Sequence, residues 1–248
     1  AKNQNNILSL VNSKPLYNDY WITQVGGSIG DFYGYKTAGL LTQEDINNNY
    51  PRLYSSSQPG DIKYVDINGD GVVNENDRTV IGNDVPSFTY GLSIGGRYKN
   101  FDLSVVGQGV ANVQVYLDKE SSQAFFNGAG VKQYVLDNRW TPENPDPNAL
   151  YHRVLPAGGG TQNIGVTSDF WLFDASYFRI KSVTLGYSLP QEVVSRIGLK
   201  KFRIYANLEN YFTLRGDKRV KDFDPEMASA RATYPNLKTV SFGINATF

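Results

Sequence analysis

The stretch Thr239-Val240-Ser241-Phe242-Gly243-Ile244-Asn245-Ala246-Thr247-Phe248 decides the fold that this sequence predicts. Every even-numbered residue from 240 to 248 is apolar, whereas the odd-numbered residues from 239 to 247 are Thr, Ser, Gly, Asn and Thr. This period of two predicts a β-strand with one apolar and one polar face. The sequence stops on Phe248, inside the pattern, whereas a soluble sandwich would usually end in a few disordered polar residues. This ending favours a strand that is structurally required, as the last strand of a closed outer-membrane barrel is.

The same alternation recurs earlier in the chain, in residues 88–98, 101–105, 177–189 and 201–208. The polar pair Lys99-Asn100 joins the first two of these stretches and predicts a hairpin with a tight turn. Within 177–189 the apolar parity changes, which predicts a β-bulge near Lys181-Ser182. The sequence therefore predicts five strands in residues 88–248, with one to three more before them.

The connections between these strands differ in length in a regular way. Residues 99–100 and 190–200 are short connections, and Pro190 and Gly198 in the second predict one or two helical turns between them. Residues 118–169 and 216–236 are long and rich in Gly, Pro and Asn. If the strands alternate in direction, all short connections fall at one end of the sheet and all long ones at the other. Transmembrane barrels have this asymmetry, with short periplasmic turns and long extracellular loops.

Fold class follows from these two patterns. Alternation alone does not say whether the apolar face meets a protein core or lipid, but the loop asymmetry favours lipid. The smallest membrane barrels need about 8 strands, and long loops on so few strands indicate part of something larger. We therefore expect an all-β, antiparallel transmembrane β-barrel, of which this chain supplies the C-terminal strands and long extracellular loops.

Composition limits the function classes. The 248 residues contain 24 Lys and Arg and 24 Asp and Glu, so net charge provides no argument for nucleic-acid binding. The absence of Cys rules out disulfides, thiol catalysis and Cys-ligated metals. No stretch approaches the roughly 20 apolar residues of a membrane-spanning helix. Residues 1–6 lack the apolar region of a signal peptide, so the chain is cytosolic, mature, or a piece of something longer.

Residues 66–77 match a twelve-residue calcium loop. Oxygen-bearing side chains stand at positions one, three, five, nine and twelve, and Gly71 occupies position six, where the turn is sharp. Position twelve is Asp in place of the usual bidentate Glu, which shortens the closing arm. An Asx-rich surface turn without metal is the alternative. We expect a structural Ca²⁺ ion whose ligands are Asp66, Asn68, Asp70, the Val72 carbonyl, Asn74 and Asp77.

Catalytic constellations are weak in comparison. His152 is the only His, which excludes a multi-His metal site within this chain, and we expect it at the surface. Nothing in the sequence brings a carboxylate pair, such as Asp222 and Asp224, to the separation of a glycosidase. The aromatic residues Tyr151, Phe170 and Trp171 suit sugar stacking, an interfacial girdle or loop packing. We therefore expect that the chain is not an enzyme.

Several blocks of the sequence resemble the SusC/RagA family of TonB-dependent outer-membrane transporters. They follow one another in the family's order and cover nearly the whole chain. The most recognisable is 59–71 followed by 77–83. The others are 25–36 (Val-Gly-Gly-Ser-Ile-Gly-Asp-Phe-Tyr-Gly-Tyr-Lys), 139–145 (Arg-Trp-Thr-Pro-Glu-Asn-Pro), 179–181 leading to 185–187, and 207–213 (Asn-Leu-Glu-Asn-Tyr-Phe-Thr).

This resemblance implies a large plugged barrel in the cell outer membrane that imports a nutrient, an oligosaccharide or an oligopeptide. A SusD-like surface lipoprotein would cap the barrel, and TonB would drive it through the N-terminal part. Residues 1–248 would be the C-terminal portion of the barrel, with the plug domain and the N-terminal strands absent. On this hypothesis residues 41–87, 118–169 and 216–236 form part of the substrate vestibule and the lipoprotein contact.

Two other interpretations of the sequence stay open at this point. A soluble extracellular carbohydrate-binding β-sandwich stabilised by calcium would explain the alternation, the calcium loop and the aromatic residues. It would not explain the loop asymmetry or the ending on Phe248. An enzyme of glycan breakdown would require a convergent acid and base pair, which the sequence does not reveal.

Overall fold

The computed structural model describes residues 1–117, 119, 122–155, 161–217, 219, 222–226 and 234–248, with only the backbone of 161 and 162. None of the helices in these residues is long and apolar enough to cross a bilayer. The strands are β1 (Leu16–Asn18), β2 (Trp21–Thr23), β3 (Asp31–Tyr35), β4 (Thr37–Leu40), β5 (Ile62–Tyr64), β6 (Arg78–Asn83), β7 (Phe88–Tyr98), β8 (Phe101–Ala111), β9 (Gln114–Tyr116), β10 (Leu172–Asp174), β11 (Tyr177–Ser188), β12 (Lys201–Arg215) and β13 (Thr239–Thr247). The helices are α1 (Gln43–Asn47), α2 (Gln133–Asn138), α3 (Thr161–Ile164) and α4 (Gln191–Arg196), with 3₁₀ turns at Glu75–Asp77, Phe126–Gly128 and Asp169–Trp171.

The chain divides into two compact units. Residues 1–4, 86–113 and 174–248 form the first, which we call the sheet unit. Residues 5–85 and 114–173 form the second, which we call the loop unit because much of it coincides with stretches predicted as long loops.

The sheet unit contains the five strands that the alternation predicted. They form one antiparallel sheet in the order β13-β12-β11-β8-β7. The hairpin at Lys99-Asn100 is confirmed, since Tyr98 pairs with Phe101 across it. The bulge is also confirmed, because the pairing of β11 with both neighbours shifts between Ile180 and Ser182.

The asymmetry of the connections is confirmed by the strand register. Tyr177 at the start of β11 pairs with Val110 near the end of β8 and with Arg215 at the end of β12. The long connections therefore leave the sheet at one end. The turn at 99–100 and the α4 connection lie at the other end, where β13 also finishes beside Lys201.

Helix α4 begins and ends where its sequence predicts. Pro190 is its N-cap, and Gly198 follows it at a φ of +73°, a left-handed conformation that glycine adopts without steric cost. Val194 is the buried residue of this short helix. Val193 and Ile197, one helical turn apart, are exposed.

The loop unit has its own hydrophobic core, although much of its sequence was predicted only as long loops. Its four-stranded sheet has the order β1-β2-β3-β6, and β4 pairs with β5. Helix α1 begins at the capping sequence Thr42-Gln43-Glu44-Asp45, in which Thr42 and Asp45 cap each other's backbone amides. The predicted loop residues 156–160, which include Gly158-Gly159-Gly160, lie outside the described residues. Buried residues of the core are Tyr35, Leu40, Ile62, Tyr64, Val73, Val135, Tyr151, Val166 and Trp171.

Candidate membrane wall and ion-binding loop

The sheet presents a continuous apolar face that no part of the described chain covers. Exposed fractions are 55% for Ile94, 52% for Leu185 and 81% for Phe242, which are high values for large apolar side chains in the middle of strands. A soluble sandwich buries this face against a second sheet, so the arrangement is not that of the sandwich considered above. Aromatic rings border the face near both ends of the strands: Tyr98, Phe101, Tyr187 and Phe248 near the short connections, and Phe88, Tyr90, Phe178 and Phe212 near the long ones.

The opposite face of the same sheet carries ion pairs. Arg203 on β12 binds Asp102 on β8 through two hydrogen bonds, Nε to Oδ1 at 2.9 Å and Nη2 to Oδ2 at 2.6 Å. These strands flank β11, and the pair crosses it at Gly186. A Cβ at position 186 would collide with both side chains. Glycine is therefore required there for the charges to meet.

A second network on the polar face holds the segment after β12. Arg179 is buried and donates to Asp224 at 2.6 Å and, through Nη1, lies 3.0 Å from Glu226. Lys181, the residue at the bulge, binds the other oxygen of Glu226 at 2.7 Å. Asn236 donates its backbone amide to Asp224. The bulge thus adds a second cation to a network that fixes part of the predicted 216–236 loop against the sheet.

The predicted ion-binding loop is a compact turn closed by Asp77. Its first residue, Asp66, accepts from the amides of Gly69 at 2.7 Å and Gly71 at 2.8 Å. At the other end Asp77 is fully buried and accepts from the amides of Ile67 and Asn74, both at 2.8 Å. The side chains of Asn68, Asp70 and Asn74 also accept hydrogen bonds from backbone amides of the loop. The donors are the amides of Asp70, Val72 and Asn76, in that order.

The pKa of Asp77 reflects this closure. Its hydrogen bond from the Asn74 amide, and then those from Asn68 and Ile67, hold the pKa below its usual value although burial opposes the shift. The carboxylate is thus kept charged, the form that a cation requires.

The donor set of this loop suits a hard cation such as calcium. Asp77 Oδ1 accepts from two amides, those of Ile67 and Asn68. The other carboxylate oxygens of Asp66, Asp70 and Asp77 accept one hydrogen bond each and keep a further lone pair. Every candidate ligand is an oxygen. In the described residues, no three His, Cys, Asp or Glu side chains are grouped to hold a metal ion. Calcium would therefore depend on the amide oxygens of Asn68 and Asn74 and on the Val72 carbonyl.

A buried charge network in the loop unit was not foreseen from the sequence. Asp61 has no exposed surface; it forms an ion pair with Arg153, accepts from Asn163 Nδ2 at 2.8 Å and from the Gln58 amide at 2.8 Å. The side-chain oxygen of Asn163 in turn accepts from the Ile62 amide at 2.9 Å. The network joins segments about a hundred positions apart. Asp61 lies in the most recognisable family block. Its structural role depends on Arg153 and Asn163, which are distant in sequence, so the sequence around Asp61 could not reveal it.

A cleft of about 600 Å³ opens beside this network. Trp140, Pro142 and Pro145 form an apolar part of its lining, and Glu44 and Gln58 contribute polar groups. Gly60, at a φ of +86°, lies against the Trp140 indole so closely that a Cβ would overlap the ring. Pro59 and Gly60 of the family block 59–71 therefore meet the block at 139–145 at one site in the loop unit.

His152 is buried, so the prediction of a surface His is wrong. It is 4% exposed, and its ring packs against Tyr151, Phe170 and Trp171. Its Nδ1 lies 2.6 Å from the Arg153 carbonyl, which can only accept, so Nδ1 carries the proton. Burial, above all, lowers the pKa of His152 to about 4. The three aromatic residues serve loop packing, one of the roles considered for them above.

We expect the loop unit to lose stability as the pH falls from about 6.5 to about 4. In that window the unfolded chain protonates His152 and the folded chain does not, which lowers the free energy of unfolding by up to about 3 kcal/mol. Hydrogen exchange of residues 149–155, corrected for the intrinsic rate, should therefore increase between pH 7 and pH 5 in the wild type. The variant His152→Phe should show a much smaller increase. An equal increase in both proteins would contradict the assignment.

The chain is similar to known TonB-dependent receptors. No protein-family model matches the chain. TonB-dependent receptor P26 of Formosa agariphila is 30% identical over 239 residues, which cover 90% of this chain and 23% of that receptor. TonB-dependent receptor SusC of Bacteroides thetaiotaomicron is 26% identical over 206 residues, 80% of this chain and 19% of SusC. A structure of the RagAB peptide importer in the open-open state has a TM-score of 0.70 at 20% identity, covering 98% of this chain and 25% of that chain.

These similarities agree with the motifs and with the geometry of the sheet. The chain spans about a quarter of the length of the relatives that it matches. Its mainly β architecture and five-stranded antiparallel sheet correspond to part of a barrel, and in the described residues the sheet does not close on itself. The resemblance inferred from the sequence blocks is confirmed. The chain is a segment of a TonB-dependent receptor of the SusC/RagA type.

Proposed function

We propose that this chain forms part of the wall and of the external loops of an outer-membrane importer that takes up an oligosaccharide or an oligopeptide with energy from TonB. The observation that supports this most strongly is the sheet with two chemically different faces. Its exposed apolar face suits lipid, and its polar face with the Asp102–Arg203 pair suits the interior of a plugged barrel. The residues that TonB would contact belong to the N-terminal part of such a receptor.

Uptake by cells that carry the full-length receptor tests this proposal. Labelled oligosaccharides and oligopeptides should be bound by cells in the cold and accumulated on warming, and accumulation should stop when TonB is deleted. A receptor that fractionates as a soluble protein, or accumulation that is indifferent to TonB, would contradict the proposal.

The proposal extends to a SusD-like lipoprotein partner and to a substrate vestibule built from residues 41–87, 118–169 and 216–236. Deleting residues 118–169 would be a poor test, because it would remove Val135, Tyr151 and Val166 from the core of the loop unit. Exposed residues of the cleft provide a better one. Glu44→Arg and Pro142→Glu should reduce uptake or lipoprotein co-purification while leaving the receptor folded.

We also propose that residues 66–77 bind Ca²⁺ as a structural ion. Lys63 and Arg78 flank the loop and provide tryptic sites. Calcium should therefore slow tryptic release of residues 64–78 from the full-length receptor compared with a chelator, because the ion ties the two halves of the loop together. The variant Asp66→Ala should remove this difference.

Glu75→Gln is the matched control for the calcium experiment. The Glu75 side chain is 85% exposed, is not a predicted ligand and pairs only with Arg78 at 3.4 Å in the described structure. Calcium should protect this variant as it protects the wild type. Equal cleavage of the wild type with calcium and with chelator would contradict the calcium proposal and leave the transport proposal unaffected.

A further inference from the structure

The end of the sheet that carries the short connections is rich in positive charge. The α4 connection, residues 189–201, contains Arg196, Lys200 and Lys201 against the single acid Glu192. Lys99 lies in the β7–β8 turn at the same end. The four cations are exposed, and none of them forms an ion pair with a described residue.

Lys99, Lys200 and Lys201 lie at neighbouring strand ends, which backbone hydrogen bonds align, and Arg196 lies on the α4 connection between β11 and β12. Ser188 donates its amide to Asn100 at 2.8 Å, Leu189 to Phe202 at 2.9 Å, and Lys200 to Thr247 at 2.7 Å. With neighbouring strands about 4.8 Å apart, the Lys99 turn and the Lys200-Lys201 segment are separated by roughly 10 Å along the sheet edge. The cations therefore form a local cluster.

An apolar groove of about 640 Å³ lies on the exposed face next to this cluster. The register explains the groove: Ala206 stands between Leu185 and Phe242, so its small side chain leaves a depression between two large ones. Tyr187, Ile204 and Ile244 form the next row towards the cations. The groove lining is almost entirely carbon.

Exposed apolar side chains are also present on helix α4 and beside the turn at Lys99-Asn100, next to the cations. Val193 and Ile197 are 43% and 57% exposed on one side of α4. The Lys99 ammonium lies 5.4 Å from the centre of the Tyr98 ring. Exposed aliphatic and aromatic groups directly beside unpaired cations are the composition of a membrane interface.

We infer that this edge is a binding site for an anionic glycerophospholipid, with an acyl chain in the groove and the phosphate against Lys99, Lys200 and Arg196. The inference rests on the proposed location of the sheet in a membrane. Lys99 precedes Phe101 of the groove by two residues, and Lys200 precedes Ile204 by four. At about 3.3 Å per residue these two cations lie roughly 7–13 Å from the groove along the strands. The excess of positive charge favours an anionic head group over a zwitterionic one.

Native mass spectrometry of the full-length receptor tests the site. Detergent-purified receptor is mixed with equal amounts of dioleoylphosphatidylglycerol and dioleoylphosphatidylcholine. The wild type should retain the anionic lipid preferentially, and Lys99→Gln with Lys200→Gln should reduce its retention by roughly tenfold or more. Ala206→Phe, which fills the groove, should reduce retention of both lipids.

Two control variants match these changes. Lys238→Gln removes a lysine that directly precedes β13, at the other end of the sheet. The ammonium of Lys238 lies over the ring of Tyr211 on β12. Leu92→Phe enlarges a residue of the same apolar face outside the groove. Both should retain the anionic lipid as the wild type does.

Equal retention of the two lipids by the wild type, or unchanged retention by the double Lys variant, would overturn the inference. Membrane fractionation of the same preparations separates this failure from failure of the proposed function. A receptor that is integral to the outer membrane but shows no lipid preference would contradict only the lipid-binding site. A receptor that is not integral to the membrane would contradict both the lipid-binding site and the proposed function.

Discussion

Replacing Asp61 with alanine is expected to destabilise the loop unit by about 3–5 kcal/mol, the usual cost of removing one member of a buried ion pair. Arg153 would lose its partner, and Asn163 Nδ2 and the Gln58 amide would lose their acceptor. Because Asn163 also binds the Ile62 amide and the Trp171 indole donates to the Asn163 carbonyl, the effect should spread into the core. Pulse proteolysis of the full-length receptor in increasing urea measures the loss.

Glu75→Gln is the control for Asp61→Ala, since it removes a carboxylate whose only pair in the described structure is an exposed one with Arg78. Such surface pairs contribute at most about 1 kcal/mol. The urea concentration at which residues 59–62 and 151–155 become cleavable should fall strongly in the first variant and stay near the wild-type value in the second. Equal resistance of both variants would show that the Asp61 network does not hold the loop unit together.

Placing arginine at position 242 is expected to prevent or weaken assembly of the receptor in the outer membrane, whereas arginine at position 241 is tolerated. Phe242 lies on the apolar face of β13 between the aromatic borders, and Ser241 is its neighbour on the polar face. A charge facing lipid near the bilayer midplane costs about 2–4 kcal/mol, and a charge facing the lumen does not. The amount of heat-resistant, folded receptor in outer-membrane fractions measures the difference.

This comparison has a clear opposite outcome. If the apolar face met water, an arginine at either of these exposed positions would have a similar, small effect. Equal assembly of Phe242→Arg and Ser241→Arg would therefore contradict the assignment of the apolar face to lipid.

The sheet unit could be predicted because its rules are local. Alternation within 239–248, the tight turn at Lys99-Asn100 and the parity change at Lys181-Ser182 each depend on a few neighbouring residues. The capping box at Thr42 is equally local, since its partner Asp45 is three positions away. In these places sequence and structure agree without any knowledge of the rest of the chain.

The loop unit could not be predicted in the same way because its contacts join distant segments. Gly, Pro and Asn in 118–169 suggested loops, but Val135, Tyr151 and Val166 in that stretch pack with Ile62 and Tyr64. The pairing of Asp61 with Arg153 spans 92 positions. Apolar residues scattered through the loop sequences were a signal for a core, although no period connects them to a strand or helix.

The polar network shows a similar limit. The sequence singled out Asp222 and Asp224 as a carboxylate pair, but the structure places Asp224 with Arg179, 45 positions away. Burial of His152 also depends on rings brought together by folding, and one His on its own gives no periodic pattern. The predicted ligands of the calcium loop lie within twelve residues, so their spacing could be read from the sequence, and calcium binding there stays a prediction.

Cysteine scanning along β13 in the full-length receptor tests the central claim most directly, since this segment contains no native Cys. Single cysteines at positions 240 to 246 would be probed with a water-soluble maleimide and with a lipid-soluble quencher of an attached fluorophore. We expect a period of two: cysteines at 240, 242, 244 and 246 exposed to the lipid quencher and protected from the maleimide, and those at 241, 243 and 245 protected from the lipid quencher. Uniform labelling by the maleimide along both faces, without quenching by lipid, would contradict the account.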